Sequence, residues 1–130
     1  MAIESHCTSL ELSKRLKEAG VEQKSCFYWN APVPETFKTE QEKMALKNIE
    51  PEIYQAGLSW GKHFENYSAF LASELGEILP PGVWSGKSKE GWYDCWHQTS
   101  KLPDDLEFHA KTQADCLGEM LLHLLTNKLI

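Results

Sequence analysis

The chain has 130 residues, 42% hydrophobic and 25% charged, which is the size and composition of one globular domain and excludes a disordered chain. No apolar run approaches the ~20 residues that a membrane-spanning helix needs, and the net charge of −6 disfavours a broad nucleic-acid interface. We therefore expect a single domain over residues 1–130, with no membrane contact and with a nucleic-acid partner disfavoured.

The four cysteines, at positions 7, 26, 95 and 116, are scattered and form no C-x-x-C pair. That spacing disfavours a zinc knuckle or a thioredoxin-type redox motif. The first 25 residues carry several glutamates and lack the long apolar core of a signal peptide. We therefore expect a cytoplasmic protein whose cysteines are reduced and behave mainly as small buried hydrophobes.

The first predicted element is a helix over residues 9–19. Thr8 and Glu11 have the spacing of a capping box, and Cys7 precedes the cap where it can pack on Leu12. Gly20 supplies a C-terminal stop. The apolar stripe at helical spacing consists of Leu12, Leu16 and Ala19.

A strand over residues 26–30 follows, because short aromatic runs bounded by turn formers are typical of strands. Pro32 and Pro34 cannot continue a hydrogen-bonded ladder, so the chain is expected to leave the sheet there. Thr39 and Glu42 repeat the capping signature and predict a surface helix that ends before Pro51. Residues 51–67 show no firm period and are interpreted mostly as loop, with some strand possible.

The next two elements are a short helix and a hairpin. Ser68 is the predicted cap of the helix, whose apolar face is followed by Pro80-Pro81-Gly82 as a stop. Residues 83–98 have two aromatic runs around a glycine-containing polar turn, which predicts a β-hairpin. Alternation places Trp92, Asp94, Trp96 and Gln98 on one face and Tyr93, Cys95 and His97 on the other. Both faces mix aromatic and polar residues, so the core-facing side stays open.

The last predicted helix, over residues 113–127, begins at Thr112, with Asp115 in the capping-box position. Its apolar arc is wide enough for a central core helix, and Gly118 at the border of the arc can admit a close neighbour. The arc is either covered within the chain or leaves Met120 and Leu122 for a twofold contact. We expect a homodimer through this helix.

No metal site, cofactor or catalytic residue is predicted. Cys95-x-His97 and His6-Cys7 lack the two tight pairs of a structural zinc site. Gly86-Lys87-Ser88 is similar to the end of a phosphate-binding loop, but Pro81 occupies the place of its first glycine. Cys95 beside His97 is left as the candidate for thiol catalysis, without a nucleophile elbow or a cysteine-protease signature.

The candidate binding residues lie in the hairpin. Trp92 and Trp96 exposed on one sheet face would form a flat platform for a sugar, a peptide or a partner protein, although tryptophans of a small domain are more often core. Lys87 and Lys89 would add a positive spot at the turn. The predicted binding patch is Trp84, Lys87, Lys89, Trp92 and Trp96.

Three blocks of the sequence resemble a set of small uncharacterised proteins found in bacteriophages, prophages and bacterial genomes. The first is CTSLELSKRLKEAG from Cys7 to Gly20, with Gln23 and the Phe27-Tyr28-Trp29 run. The second is Ser68-Ala-Phe with ELGEILP at 74–80, and the third is ADCLGEML at 114–121 with the terminal NKLI. The resemblance implies an α+β domain associated with mobile elements and brings no catalytic residue.

We therefore predict an α+β fold, with three or four helices packed on one small antiparallel sheet that contains residues 26–30 and the 83–98 hairpin. The function that we expect is that of a cytosolic, non-enzymatic phage or prophage accessory protein, acting through contact with an unknown protein partner. The alternatives are a small ligand-binding module with a tryptophan platform and, less favoured, an enzyme that uses Cys95 and His97.

Overall fold

A computed structural model describes residues 3–55, 61–98, 102–103 and 106–130 of the chain. In chain order these residues form α1 (Leu10–Glu18), β1 (Phe27–Pro32), α2 (Glu40–Leu46), β2 (Glu52–Gln55), β3 (Phe64–Ala69), α3 (Ala72–Ile78), β4 (Val83–Lys87), β5 (Tyr93–His97), β6 (Glu107–Ala110) and α4 (Gln113–Thr126). Short 3-10 turns lie at Ile3–Ser5 and Pro34–Thr36. The predicted α+β class is confirmed.

The strands form two separate antiparallel sheets, so the prediction of one shared sheet is wrong. Sheet A has the strand order β2-β1-β3, and sheet B has the order β4-β5-β6. Both edges of β1 are occupied by β2 and β3, which leaves no edge of β1 for the hairpin. The hairpin instead takes β6 as its third strand.

The strand content expected within residues 51–67 is present, since β2 and most of β3 lie there; residues 56–60 of this segment lie outside the described residues. These strands are mostly half-buried or exposed and lack the strict alternation by which a strand is recognised. Their pairing depends on β1, with Tyr54 opposite Tyr28 and Tyr67 opposite Trp29. Aromatic cross-strand pairs of this kind stabilise a sheet only after distant segments have met.

The ends of α1 and α2 test the predictions made from local capping and stop signals. The predicted capping box of α2 is confirmed: Glu42 N–H donates to Thr39 Oγ1 at 3.1 Å, and Thr39 N–H donates to Glu42 Oε1 at 3.0 Å. In α1 the cap is Ser9 and not Thr8, because Ser9 Oγ accepts from Leu12 N–H at 3.3 Å. Gly20 adopts the left-handed φ of 95° that the predicted stop requires.

Two residues predicted as caps, Thr8 and Ser68, are instead fully buried outside the N-cap positions. Thr8 Oγ1 accepts from Phe70 N–H at 3.0 Å and bonds to Ser13 Oγ at 2.8 Å, which joins the start of α1 to the segment after β3. Ser68 lies within β3, and the N-cap of α3 is Leu71, whose N–H donates to Glu74 at 2.8 Å. The Ser68 cap is therefore wrong by three residues, because pairing with β1 extends β3 through this position.

The core centres on α4, which packs against α1, α3 and all three strands of sheet B. The predicted helix is confirmed, and so is the close approach at Gly118, where an added Cβ would lie 2.7 Å from Leu12 Cδ2. Asp115 does not complete a capping box; it accepts from Ser9 N–H at 2.7 Å and so links the starts of α4 and α1.

The apolar arc of α4 is covered within the chain. Met120 is fully buried and Leu122 is 7% exposed. These two side chains are therefore already covered within the chain, where α1, α3 and sheet B pack against the helix, and the structure gives no support to a twofold contact through them. Within the described ranges, no helix combines the length and the apolar character that crossing a bilayer requires.

Candidate functional site on the outer face of sheet B

The predicted hairpin is confirmed and provides the candidate site. Strands β4 and β5 pair in an antiparallel register, and Ser88 N–H donates to the Trp92 carbonyl at 2.6 Å across the turn. Gly91 takes a φ of 90° in this turn, a conformation that glycine adopts without strain. Trp92 lies just before β5, so the strand itself begins at Tyr93.

Burial decides which face of the hairpin is core. Cys95 is fully buried on the inner face, against α4. The opposite, outer face carries Trp84 and Trp96, which are direct partners in the β4–β5 register and are 54% and 37% exposed. An added Cβ on Gly86 would lie 3.4 Å from the ring of Trp96, so the glycine leaves room for this indole beside β4. The result is an open aromatic surface.

The predicted binding patch divides into two groups. Trp84 and Trp96 share the outer face, whereas Lys87 is the register partner of Tyr93 on the strand side that faces α4. Trp92 is 46% exposed, and the ammonium of Lys111 lies 5.9 Å from the centre of its ring. Lys89 is exposed in the turn. Lys87 therefore lies on the opposite side of the sheet from the Trp84–Trp96 pair.

Charged residues that the sequence interpretation missed lie next to these tryptophans. Glu107 and His109 of β6 are register partners of Trp96 and Asp94, so all four lie on the outer face. His109 Nδ1 is hydrogen-bonded to Asp94, and His109 Nε2 lies 3.9 Å from Glu107 Oε1. The hydrogen bond to Asp94 raises the pKa of His109 above its ordinary value. The outer face is therefore aromatic and acidic.

The sequence contains a weak signal for this group, the E-x-H alternation at 107–109, in a segment for which no strand is predicted. Ligand atoms of Asp94, Glu107 and His109 lie within 4.8 Å of one another, so their donors are of the type that holds a divalent cation. All three side chains are at least partly exposed. Exposed acidic groups commonly cluster in this way without a bound ion. Here the three side chains form the polar border of Trp84 and Trp96.

The Cys95 and His97 pair does not form an accessible catalytic arrangement. Cys95 has no exposed surface and is hydrogen-bonded to Cys116, whose thiol also lies 3.2 Å from the Phe108 carbonyl. The hydrogen bond with Cys95 and burial raise the pKa of Cys116. His97 contacts the Pro103 carbonyl through Nε2. A nucleophilic thiol needs access to substrate, which Cys95 lacks.

No model of a protein family, no curated protein and no solved structure matches the chain. The functional argument therefore depends on the residues of the site and on their arrangement.

Proposed function

We propose that the chain acts by binding another protein through the outer face of sheet B, with Trp84 and Trp96 at the centre of the contact. The main observation in support is that two tryptophans lie directly opposite each other on neighbouring strands and are both substantially exposed. Tryptophan is among the residues most enriched at the positions that dominate the binding energy of protein interfaces. Exposed aromatic pairs with a polar border have the composition of such an interface.

The shape and charge of the face support a protein partner over a small molecule. Small ligands bind in concave sites that enclose most of their surface, whereas Trp84 and Trp96 lie on the open face of a three-stranded sheet. Asp94 and Glu107 border the tryptophans, and the whole chain carries a charge of −6. The complementary partner surface is apolar at its centre and basic at its edge.

The biological setting is a further part of the proposal. The resemblance of the three sequence blocks to small phage and prophage proteins supports an accessory role in a mobile element. The residues of those blocks include the Ser9 cap and the buried face of α4, so the resemblance concerns residues that build the scaffold. Four free thiols support a cytosolic location.

The test is the double variant Trp84→Ala/Trp96→Ala, used to capture partners from lysate of a bacterial host. We expect at least a tenfold loss of capture, because removal of central aromatic residues costs about 2 kcal/mol or more each. The thermal unfolding midpoint should hardly change, because both side chains are exposed.

The matched control is Met44→Ala on α2, which removes another exposed apolar side chain. This variant should capture as much as the natural chain. Undiminished capture by the double tryptophan variant would refute the proposed surface. Quenching of tryptophan fluorescence by a panel of sugars and nucleotides, without protein capture, would favour the ligand-binding alternative.

A further inference from the structure

A second functional arrangement lies beside sheet A, formed by Thr36, His63 and Glu42. Thr36 Oγ1 lies 2.9 Å from His63 Nδ1, and His63 Nε2 lies 3.0 Å from Glu42 Oε2. The three residues come from the 3-10 turn, the residue before β3 and α2, so 27 positions separate Thr36 from His63. A hydroxyl, an imidazole and a carboxylate joined in this order have the connectivity of a nucleophile, a base and a group that positions the base.

The arrangement is held by the surrounding backbone. The capping box of α2 fixes the Glu42 carboxylate, since Oε1 accepts from Thr39 N–H and leaves Oε2 towards His63. The ring of the buried Phe37 packs 4.6 Å from the His63 ring, centre to centre. Val33 N–H donates to the His63 carbonyl at 2.8 Å. The imidazole is therefore constrained at both nitrogens, at one ring face and at its own backbone.

The partners of His63 determine where its proton lies when the ring is neutral. A carboxylate only accepts hydrogen bonds, so the nitrogen that faces Glu42, Nε2, carries the proton. The unprotonated Nδ1 then faces Thr36 and accepts from its hydroxyl, as a general base must. The hydrogen bonds from Thr39 lower the pKa of Glu42, which keeps the carboxylate ionised at neutral pH.

A cavity adjoins the arrangement. Thr36 and Glu42 line a cavity of about 260 Å³ together with Lys38, Lys62 and Glu35. The two lysines contribute cationic side chains to the lining of the cavity in which a bound carbonyl would lie. Positive groups beside a carbonyl stabilise the oxyanion that develops when a nucleophile attacks it. The Val33 carbonyl lies 2.8 Å from Thr36 Oγ1, so the single hydroxyl proton has two acceptors within reach, this carbonyl and His63 Nδ1.

We propose that Thr36 is an acyl-accepting nucleophile for small carboxylic esters, with His63 as its general base and Glu42 as a positioning residue. Thr36 Oγ1 forms a bond to the ester carbonyl carbon while its proton passes to His63 Nδ1. The bond from that carbon to the leaving oxygen breaks, and His63 returns the proton to the leaving oxygen. Water then adds to the acyl carbon, the bond from that carbon to Thr36 Oγ1 breaks, the carboxylic acid leaves, and Thr36 Oγ1 regains a proton. This activity is independent of the tryptophan surface.

The experiment uses p-nitrophenyl acetate as the acyl donor, with release of p-nitrophenolate and peptide mapping by mass spectrometry as readouts. We expect an acetyl group at position 36 in the natural chain and in Thr36→Ser. Thr36→Val should carry none at this position. His63→Gln and Glu42→Gln should slow acetylation at position 36 by about 10²-fold or more, since that is the contribution of a positioned general base.

Glu42→Gln is a sharp test of the positioning role because glutamine also completes a capping box. Its amide oxygen can accept from Thr39 N–H, which turns the amide NH₂ towards His63 and moves the imidazole proton to Nδ1. Nitrogen-15 chemical shifts of the His63 ring should report this change of tautomer. A purely structural His63–Glu42 contact would leave the acetylation rate unchanged.

Acetylation of surface lysines provides an internal measure of reagent dose in every variant. An unmodified Thr36 in the natural chain, alongside acetylated lysines and with p-nitrophenolate release no faster than in Thr36→Val, would overturn the proposal. Equal acetylation of Thr36 in the natural chain, His63→Gln and Glu42→Gln would overturn it as well. Trp84→Ala/Trp96→Ala should acetylate at the natural rate, so failure of the binding proposal is distinguishable from failure of this one.

Discussion

Tryptophan residues have different environments in sheet A and in sheet B. Trp29 of sheet A is only partly exposed, and its indole N–H donates to the Thr8 carbonyl at 2.9 Å, so its polar atom is bound within the chain. Trp84 and Trp96 of sheet B lie on a face that α4 does not cover. A tryptophan is therefore structural or available for binding according to what covers its side of the sheet, and its identity in the sequence does not decide between them.

The two sheets also differ in their support. Sheet B rests on α4, with Cys95 and Phe108 packed into the core cluster, whereas sheet A contacts α1 mainly through β3. A face that is buried on one side and open on the other is the arrangement expected of an antiparallel sheet that presents a surface. Breaking the inner support should therefore have a larger effect than changing the outer face.

The largest expected effect is that of Leu121→Ala in α4. Leu121 is fully buried in the cluster that supports sheet B, so its truncation should lower the free energy of unfolding by about 2–5 kcal/mol. Urea titration followed by circular dichroism measures this change. A loss well below this range would show that sheet B is not supported by α4 as described.

The second prediction compares tryptophans directly. Trp29→Phe removes the donor to the buried Thr8 backbone and should lower the free energy of unfolding by about 1–3 kcal/mol. The matched change Trp84→Phe on the outer face of sheet B should alter it by no more than about 0.5 kcal/mol. Thermal unfolding of both variants checks the difference, and equal effects would remove the contrast between the two sheets.

The smallest expected effects concern pH. The hydrogen bond to Asp94 raises the pKa of His109 above 6.5, so the pair in sheet B stabilises the fold below that pH and this contribution is lost as pH rises through the raised pKa. In sheet A, the hydrogen bond from Lys17 lowers the pKa of Glu65 below 4.5. That contribution is present above pH 4.5 and is lost as pH falls through the lowered pKa.

NMR titration of the His109 ring tests this opposite dependence. Its pKa should lie above 6.5 in the natural chain and return towards 6.5 in Asp94→Asn. The Glu65 titration should be unaffected by that substitution, because its partners are Lys17 and Tyr67. A shift of both groups in Asp94→Asn would contradict the independence of the two sheets.

Much of the helical structure was predictable from the sequence because its signals are local. The capping box at Thr39 and Glu42, the stop at Gly20 and the apolar arc of α4 each involve residues within a few turns of one another. Thr8 does not cap α1, although the local pattern predicted it. Its hydroxyl instead accepts a hydrogen bond from the backbone N–H of Phe70, 62 residues away. Tertiary contacts override local preference where a distant partner offers a better bond.

The candidate sites were less predictable. The sequence indicated that the hairpin tryptophans are candidates for binding, but only the structure shows that Trp84 is the partner of Trp96 and that Lys87 lies apart from them. The Thr36, His63 and Glu42 group had no local signal, since its members come from three separate elements. The sequence suggested Cys95 and His97 as a catalytic pair because they lie two positions apart on one strand face. The structure places Cys95 in the core.

The sequence by itself determined the α+β class, the hairpin, the helix over 113–127 and the close approach at Gly118, because periodicity and capping act over a few residues. The tertiary structure alone decided that there are two sheets, which face of each is covered and which distant side chains meet. Those outcomes depend on the pairing of segments far apart in the chain, and such pairing stabilises the fold only after those segments have come together.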